Sequence, residues 1–167
     1  DEIYTYTFAN CTSLKEITIP EDVDNIDSYA FENCKSLTNL DISENCSIRT
    51  YAFSGCTGLK EATVGDYVES YAFKDCTSLT KVNLPTTEKC NLREGAFYNC
   101  TSLVEITGDM YQVWAETYYN CKSLKSCDSI IKDKKYIYDY AFYNCTGLTK
   151  VIYNGNSLGE IGDYAFA

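Results

Sequence analysis

Residues 71–84 read YAFKDCTSLTKVNL, and this stretch decides the fold because near copies of it recur along the whole chain. Further copies begin at Ala30 (AFENCKSL), Ala52 (AFSGCTGL), Ala96 (AFYNCTSL) and Ala141 (AFYNCTGL). When these copies and two weaker ones are aligned on their cysteine, successive cysteines lie 20 to 24 residues apart. Such a period predicts a solenoid in which each copy forms one coil. The aligned cysteines are Cys11, Cys34, Cys56, Cys76, Cys100, Cys121 and Cys145.

Apolar residues follow each aligned cysteine at fixed offsets. A leucine stands three residues later in every copy, and apolar residues stand six and eight positions later in most copies. Because alternate residues of an extended chain point to the same side, the pattern L-x-x-[apolar]-x-[apolar] predicts a strand with one side in the core. The pattern weakens late in the chain, where Gly108 and Ser129 stand at the eighth position and Cys127 at the sixth. We expect a thinner core and a less regular backbone there.

A second set of apolar positions precedes each cysteine. An aromatic residue stands three positions before it, and an aliphatic residue always stands five positions before that aromatic. These offsets stay constant although the loops vary in length, as stacked coils require of their core positions. We expect the aliphatic to lie on a second short strand and Tyr-Ala-Phe to open a short helical turn. The aliphatic positions are Ile3, Ile26, Ile48, Val68, Leu92, Val113, Ile137 and Ile161.

The combined pattern, [Y/G]-A-F-x-x-C-x-[S/G]-L-x-x-[I/V]-x-[I/L/V]-P, resembles the BspA-like leucine-rich repeat family over essentially the whole chain. The resemblance implies an α/β fold, a right-handed leucine-rich-repeat solenoid with parallel strand ladders and short helical turns. We expect about seven repeats of 20–24 residues in a single domain over residues 1–167, as a fragment of a longer repeat array. Members of the family are typically surface-exposed or secreted, and several are linked to attachment to host matrix proteins or to other cells.

The seven aligned cysteines are expected to form a structural ladder of buried, reduced thiols. Neighbouring coils lie about 4.8 Å apart with parallel side chains, which leaves the Cβ atoms farther apart than the roughly 3.5–4.5 Å that disulfides prefer. Zinc sites need clustered ligands, and the sequence has no C-x-x-C pair, so we expect no metal and no cofactor. Cys46 and Cys90 fall outside the ladder. We expect them in loops, either as unpaired thiols or as the most reactive or pairing cysteines.

The residues between the inward positions of the predicted strand point outward, onto the expected concave face of the solenoid. They are polar, and mildly acidic toward the N terminus. A broad polar concave face is the usual ligand surface of this architecture. The alternative is an ordinary solvated sheet face. The candidate binding residues are Glu16, Thr18, Asn39, Asp41, Glu61, Thr63, Lys81, Asn83, Glu105 and Thr107.

Tyrosine stands two residues before the aromatic in six of the eight copies. One interpretation is a column of half-buried rings that stack between coils with their hydroxyls in water. The other is an aromatic binding stripe, because tyrosine is enriched at interfaces. The tyrosines are Tyr6, Tyr29, Tyr51, Tyr71, Tyr140 and Tyr164.

Composition narrows the classes of function. The chain carries 24 acidic and 14 basic side chains, and its net charge of −10 disfavours nucleic acid and anionic lipid as partners. No apolar run approaches the ~18 residues of a membrane-spanning helix, so we expect no membrane insertion of this segment. The chain has no histidine, which removes the commonest general base, and we expect no enzymatic activity.

Two functions stay open at this point. The first is an extracellular or cell-surface module for protein binding or adhesion, with a host-matrix or cell-surface protein as its partner. It rests on the extended surface of a solenoid and on the family resemblance. The second is a structural spacer or self-assembling stalk of a larger surface protein. It rests on the apolar residues at both ends of the sequence, which suggest end-to-end self-association.

Overall fold

The computed structural model describes residues 1–86, 90–108, 110, 112–127, 131, 136–153 and 159–167. Its regular structure consists of strands of two or three residues. The strands are β1 (Glu2–Ile3), β2 (Asn25–Ile26), β3 (Asn39–Asp41), β4 (Ser47–Ile48), β5 (Glu61–Thr63), β6 (Tyr67–Val68), β7 (Lys81–Asn83), β8 (Asn91–Leu92), β9 (Glu105–Thr107), β10 (Tyr136–Ile137) and β11 (Glu160–Ile161).

The strands form parallel ladders in which each strand pairs with its equivalent in a neighbouring coil. One ladder runs in the order β1-β2-β4-β6-β8, a second runs β3-β5-β7-β9, and β10 pairs with β11. The register aligns equivalent positions of the repeat, so that Ile26 lies opposite Ile48. The predicted aliphatic row is buried from Ile26 to Ile137. The interior of the solenoid is therefore one continuous apolar core.

The fold is a parallel-strand solenoid of about six turns with essentially no helix. The α/β class is corrected to a β class, because no run of helical residues occurs in the described ranges. The segments around Tyr-Ala-Phe are successive turns where short helical turns were expected. The expected number of about seven repeats is not confirmed.

Left-handed residues explain why these segments turn and do not form a helix. In the second coil, a hydrogen bond of 3.1 Å from Ala30 N–H to Asp27 O closes a turn whose third residue, Tyr29, has a φ of 61°. A later turn in the same coil holds Asn33, with a φ of 59°. A positive φ at the third position marks a type II turn and interrupts a right-handed helix. The equivalent residues of the other coils also have positive φ.

The turns stack on one another through backbone hydrogen bonds. Phe31 N–H donates to Ala52 O, and Phe53 N–H donates to Ala72 O, both at 2.8 Å. Because these amides point toward the next coil, the turns satisfy their buried donors without a helix.

The core aromatic residues form a stack through the solenoid. The rings of Phe31 and Phe53 lie 5.0 Å apart with planes 4° from parallel, and Phe53 and Phe73 follow at 5.2 Å. The stack continues to Phe8 on one side and to Phe166 on the other. Each inner ring is buried between two others, which combines apolar burial with offset stacking.

The thiols form a second stack beside the aromatic rings. From Cys34 onward, each Sγ of the ladder donates to the carbonyl oxygen of the aromatic residue in the preceding coil. The distance is 3.2 Å from Cys56 to Phe31 and 3.3 Å from Cys76 to Phe53. None of the ten cysteines, all of which lie in the described ranges, forms a disulfide bond. Burial raises the pKa of the Cys34 thiol to about 11 and that of Cys56 to about 12, so these thiols stay protonated at neutral pH.

The burial of three cysteines differs from the prediction. Cys11, in the first coil of this chain, is exposed. Cys46 and Cys90 lie outside the assigned strands and form no disulfide, as expected of unpaired loop thiols, but both are buried, so the alternative that they are the most reactive cysteines is corrected. Each stands two residues before a buried aliphatic, Ile48 or Leu92. The period of two in an extended chain turns the thiol to the same side, into the core.

The late coils are less regular, as the sequence indicates. Gly108 is exposed and directly follows β9, the last strand of the β3-β5-β7-β9 ladder. Among the described residues, the equivalent strand positions of the later coils pair only through a single bridge between Ser126 and Lys150. Cys127 is buried at its strand position. Ser129 lies outside the described residues.

Burial predicts that one thiol of ten reacts in the native protein. Cys11 is exposed and the other nine cysteines are buried. A thiol-specific disulfide reagent such as DTNB is therefore expected to modify one equivalent rapidly at pH 8, and the remaining nine only after denaturation. Two or more fast equivalents in the folded chain would contradict the ladder, and Cys11→Ser serves as the control that removes the fast phase.

The aromatic stack predicts a large cost for truncating an inner ring. Phe73 is fully buried between two rings, so Phe73→Ala should lower the free energy of unfolding by about 3–5 kcal/mol. Phe166 is 36% exposed at the end of the stack, and Phe166→Ala should cost about 1 kcal/mol or less. Urea unfolding followed by circular dichroism measures both variants. Equal costs would show that stacking depth does not determine the contribution.

Candidate functional site

The β3-β5-β7-β9 ladder presents two rows of polar side chains to solvent. The central residue of each strand is buried, so its two neighbours face away from the core. The parallel register places side by side Asn39, Glu61, Lys81 and Glu105. The second row consists of Asp41, Thr63, Asn83 and Thr107. We call these eight residues the four-stranded face.

The remaining two candidates lie beside this face. Glu16 and Thr18 are exposed and belong to the first coil, in a stretch without an assigned strand. They line an open groove together with five residues of the face, namely Asn39, Asp41, Glu61, Thr63 and Asn83. The other three members of the face extend this surface beyond the groove. The ten candidate residues therefore lie on one surface of the solenoid.

The charges on the four-stranded face alternate toward the later strands. In register, Lys81 lies between Glu61 and Glu105. Thr107 Oγ1 donates to Asn83 Oδ1 at 3.0 Å. Opposite charges on neighbouring strands stabilise a sheet modestly, and the same groups stay exposed to solvent. Carboxylate, ammonium, amide and hydroxyl groups in fixed rows suit non-covalent recognition.

Metal binding and membrane crossing find no support in the described ranges. No group of three or more His, Cys, Asp or Glu side chains there has the arrangement of a metal site. The same ranges contain no helix with the length and apolar character needed to cross a membrane.

Sequence reasoning missed a column of alternating charge beside the first strand ladder. The column consists of Asp27, Arg49, Glu69 and Arg93, each directly after the buried aliphatic of its coil. Arg49 Nη1 donates to Glu69 Oε1 at 3.0 Å, and Arg49 Nε donates to Asn25 Oδ1 at 2.6 Å. The sequence contains a signal for this column: the residue directly after the aliphatic alternates between acidic and basic in four consecutive copies.

Hydrogen bonds hold Glu69 in its ionised form. Burial alone would raise the pKa of this carboxyl group. Thr50 donates to Glu69 Oε2 from its backbone nitrogen at 3.0 Å and from its Oγ1 at 2.7 Å. Together with Arg49, these donors outweigh burial and lower the pKa of Glu69.

The charged column continues into an aromatic group. The guanidinium of Arg93 lies 5.5 Å from the ring centre of Tyr67 and 5.1 Å from that of Trp114. Arg93 Nε also donates to the Tyr67 hydroxyl at 3.2 Å. Trp114 in turn stacks on Tyr138 at 5.0 Å. Cation–π contact thus replaces the ion pair between coils where the column has no further carboxylate.

The predicted tyrosine column stacks between coils. The ring centres lie 5.1 Å apart for Tyr6 and Tyr29, 5.3 Å for Tyr29 and Tyr51, and 5.4 Å for Tyr51 and Tyr71. Tyr29, Tyr51 and Tyr71 are half-buried. The interpretation of half-buried rings that stack between coils is therefore confirmed for these tyrosines.

Parallel ladders, a repeat of 20 to 24 residues and an exposed polar strand face together define a leucine-rich-repeat solenoid. Residues 1–104 and 66–167 match the family model described as the BspA type leucine rich repeat region, in six copies. The chain therefore belongs to the BspA-type leucine-rich-repeat family. This family is typical of surface proteins and of protein–protein interaction, and leucine-rich-repeat solenoids are generally non-enzymatic scaffolds.

Solved structures of bacterial leucine-rich repeat proteins share the fold. A protein from Bacteroides ovatus is 23% identical with a TM-score of 0.75, covering 97% of this chain and 48% of that one. A protein from Eubacterium ventriosum is 25% identical with a TM-score of 0.67, covering 99% and 39%. The T. pallidum leucine rich repeat protein is 24% identical with a TM-score of 0.62, covering 84% and 67%. The chain thus spans half or less of the first two proteins. No curated protein sequence matches it.

The lowered pKa of Glu69 predicts a pH-dependent contribution to stability. The pKa of the Glu69 carboxyl group is lower in the folded chain than in the unfolded chain. Ionised Glu69 therefore stabilises the fold at any pH above the pKa of the unfolded chain, near 4.3, and this stabilisation is lost as the pH falls through the pKa of the folded chain. Glu69→Gln should therefore cost about 1 kcal/mol at pH 7, since both partners are partly exposed, and almost nothing near pH 2.5. Urea unfolding at both pH values measures the difference, with Glu61→Gln as control. A cost that does not change with pH would contradict this account.

Proposed function

We propose that this chain is an extracellular module for protein binding or adhesion that presents its four-stranded face to a host or neighbouring-cell protein. The observation that carries the proposal is the placement of ten polar residues on one surface, eight of them in strand register and the other two, Glu16 and Thr18, on the same groove. Hydrogen bonds between coils fix their backbone, so a partner meets side chains whose positions are already set. Such preorganisation lowers the entropy that binding would otherwise lose.

The charge of the surface favours a partner with basic groups. Glu16, Asp41 and Glu61 lie together around the groove, on a chain whose net charge is −10. Complementary charge steers association and selects partners more than it adds affinity. The same charge disfavours nucleic acid. The family is typical of surface proteins and of protein–protein interaction, which supports a location outside the cell or on its surface.

Charge reversal on the face provides the test. The chain is screened by biolayer interferometry against immobilised extracellular-matrix and cell-surface proteins. For any partner that binds, the triple variant Glu16→Lys, Glu61→Lys and Glu105→Lys should weaken binding about tenfold or more, because it repels the basic groups of the partner.

The matched control carries the same change of charge elsewhere. Glu2, Asp22 and Glu160 are exposed and lie outside the four-stranded face. Their replacement by Lys should change affinity by about twofold or less, as surface charges remote from an interface do. Equal losses in both triple variants would show that the face is not the binding surface.

A spacer or self-assembling stalk is the alternative function. Failure of every partner in the screen to bind would favour it over adhesion. A concentration series by light scattering then tests self-assembly directly. A monomer at all concentrations would leave only the spacer role.

A further inference from the structure

Each coil contains a left-handed residue two positions before its core aromatic. The φ of this residue is positive in all eight copies. Six of the copies use tyrosine there, and the other two use Gly95 and Glu116. The second left-handed position of the coils holds only asparagine, aspartate or glycine, the residues that adopt this conformation at least cost.

Tyrosine is a costly choice for a left-handed position. A bulky residue with positive φ is strained relative to glycine or asparagine, and such strain persists where the side chain contributes something else. Gly95 shows that this turn accepts a low-cost residue at the same position. The tyrosine ring must therefore offset the strain, and its stacking and exposure indicate how.

The rings form one continuous strip even where tyrosine is missing from this position. At Gly95 the ring of Tyr71 occupies the free space, since a Cβ there would clash with Tyr71 Cε1. Tyr98 meets Tyr71 edge to face at 6.0 Å and stacks on Tyr119 at 4.6 Å. The remaining contacts lie between 4.9 and 5.5 Å. We call this set the tyrosine strip: Tyr6, Tyr29, Tyr51, Tyr71, Tyr98, Tyr119, Tyr143, Tyr140 and Tyr164.

Stacking decides which part of the strip a partner can reach. Most ring faces cover one another at about 5 Å, which leaves no room for a flat ligand between them. Tyr6 and Tyr164 are 57% and 61% exposed, and the rings between them are half-buried, so a partner reaches only part of each ring. A partner therefore meets a row of phenol groups spaced by the coil repeat.

Carboxylates flank the phenol row in each of the last five coils. The Tyr71 hydroxyl lies 3.1 Å from Glu94 Oε1 and 2.8 Å from Glu116 Oε2. Asp75 and Glu116 act electrostatically on Tyr98. The carboxylates of Asp139 and Asp163 likewise act electrostatically on Tyr140.

The chain itself already places one cation on the strip. Lys74 Nζ lies 5.7 Å from the ring centre of Tyr71 and 5.3 Å from that of Tyr98. Its side chain lies at the point where the strip passes from Tyr71 to Tyr98. The chemistry that this surface holds is therefore a cation between phenol rings and carboxylates.

We propose that the tyrosine strip is a second interaction surface, which takes an extended protein segment rich in arginine and lysine. Guanidinium and ammonium groups carry positive charge and donate hydrogen bonds. They therefore complement the carboxylates and phenol oxygens of the strip better than any other side-chain groups of a partner. Five coils at about 4.8 Å span roughly 20 Å, the length of about six residues of extended chain. The strip is separate from the four-stranded face, and this proposal does not rest on the function proposed for that face.

A hexa-arginine peptide labelled with fluorescein is the probe, and fluorescence anisotropy at low ionic strength is the readout. The double variant Glu94→Gln and Glu116→Gln should weaken binding about fivefold. The matched control is the double variant Glu2→Gln and Glu160→Gln, at exposed residues outside both surfaces, which changes the net charge equally and should weaken binding by less than about twofold.

A variant with the opposite sign keeps the proposal testable if the first one folds poorly. Lys74→Gln removes the resident cation and should strengthen binding of hexa-arginine about twofold to threefold. Lys35→Gln makes the same charge change at an exposed residue outside both surfaces and should leave binding nearly unchanged. Equal effects within each matched pair would show general attraction to an acidic protein and overturn the proposal. The absence of binding at low ionic strength would also overturn it.

Discussion

Like residues lie on like residues in successive coils, and every other feature of the molecule depends on this register. Phe53 alone shows how firmly it is set. Its amide donates to Ala72 O at 2.8 Å, its ring stacks on Phe73 at 5.2 Å, and its carbonyl accepts the Cys76 thiol at 3.3 Å. All three contacts require the next coil at one offset. A slip of one residue would also turn the aliphatic row out of the core, so loops vary in length while core offsets do not.

The same register builds the exposed surfaces. Once the inward positions are fixed, the residues between them line up in rows whose spacing is that of the coils. The four-stranded face and the tyrosine strip are two surfaces that such alignment produces on one rigid support. Two polar contacts between coils also favour this register. One is the ion pair of Arg49 with Glu69, and the other is the cation–π contact of Arg93 with Trp114. Recognition and stability thus use the same periodic arrangement.

The sequence predicts the inward positions well because their offsets are constant. It also assembles the ten residues of the candidate face, since alternation along a strand fixes which side chains face solvent. The turns were harder to predict, because Tyr-Ala-Phe is compatible with a helix and nothing local indicates a positive φ at tyrosine. Asn33 and its equivalents, which tolerate that conformation, were a usable signal. Cys46 and Cys90 lie outside the strands as predicted, and their spacing of two from a buried aliphatic is a usable signal that both thiols point into the core.

Amide hydrogen exchange by nuclear magnetic resonance tests the stacking of the coils most directly. The amides of Phe31, Phe53 and Phe73 each donate to the next coil and have no other role in the turn. If the coils stack in register, these three amides exchange slowly and only through opening of the solenoid, with similar protection at each. Exchange of any of them at the rate of an unprotected amide, under conditions where the chain is folded, would contradict the stacked structure.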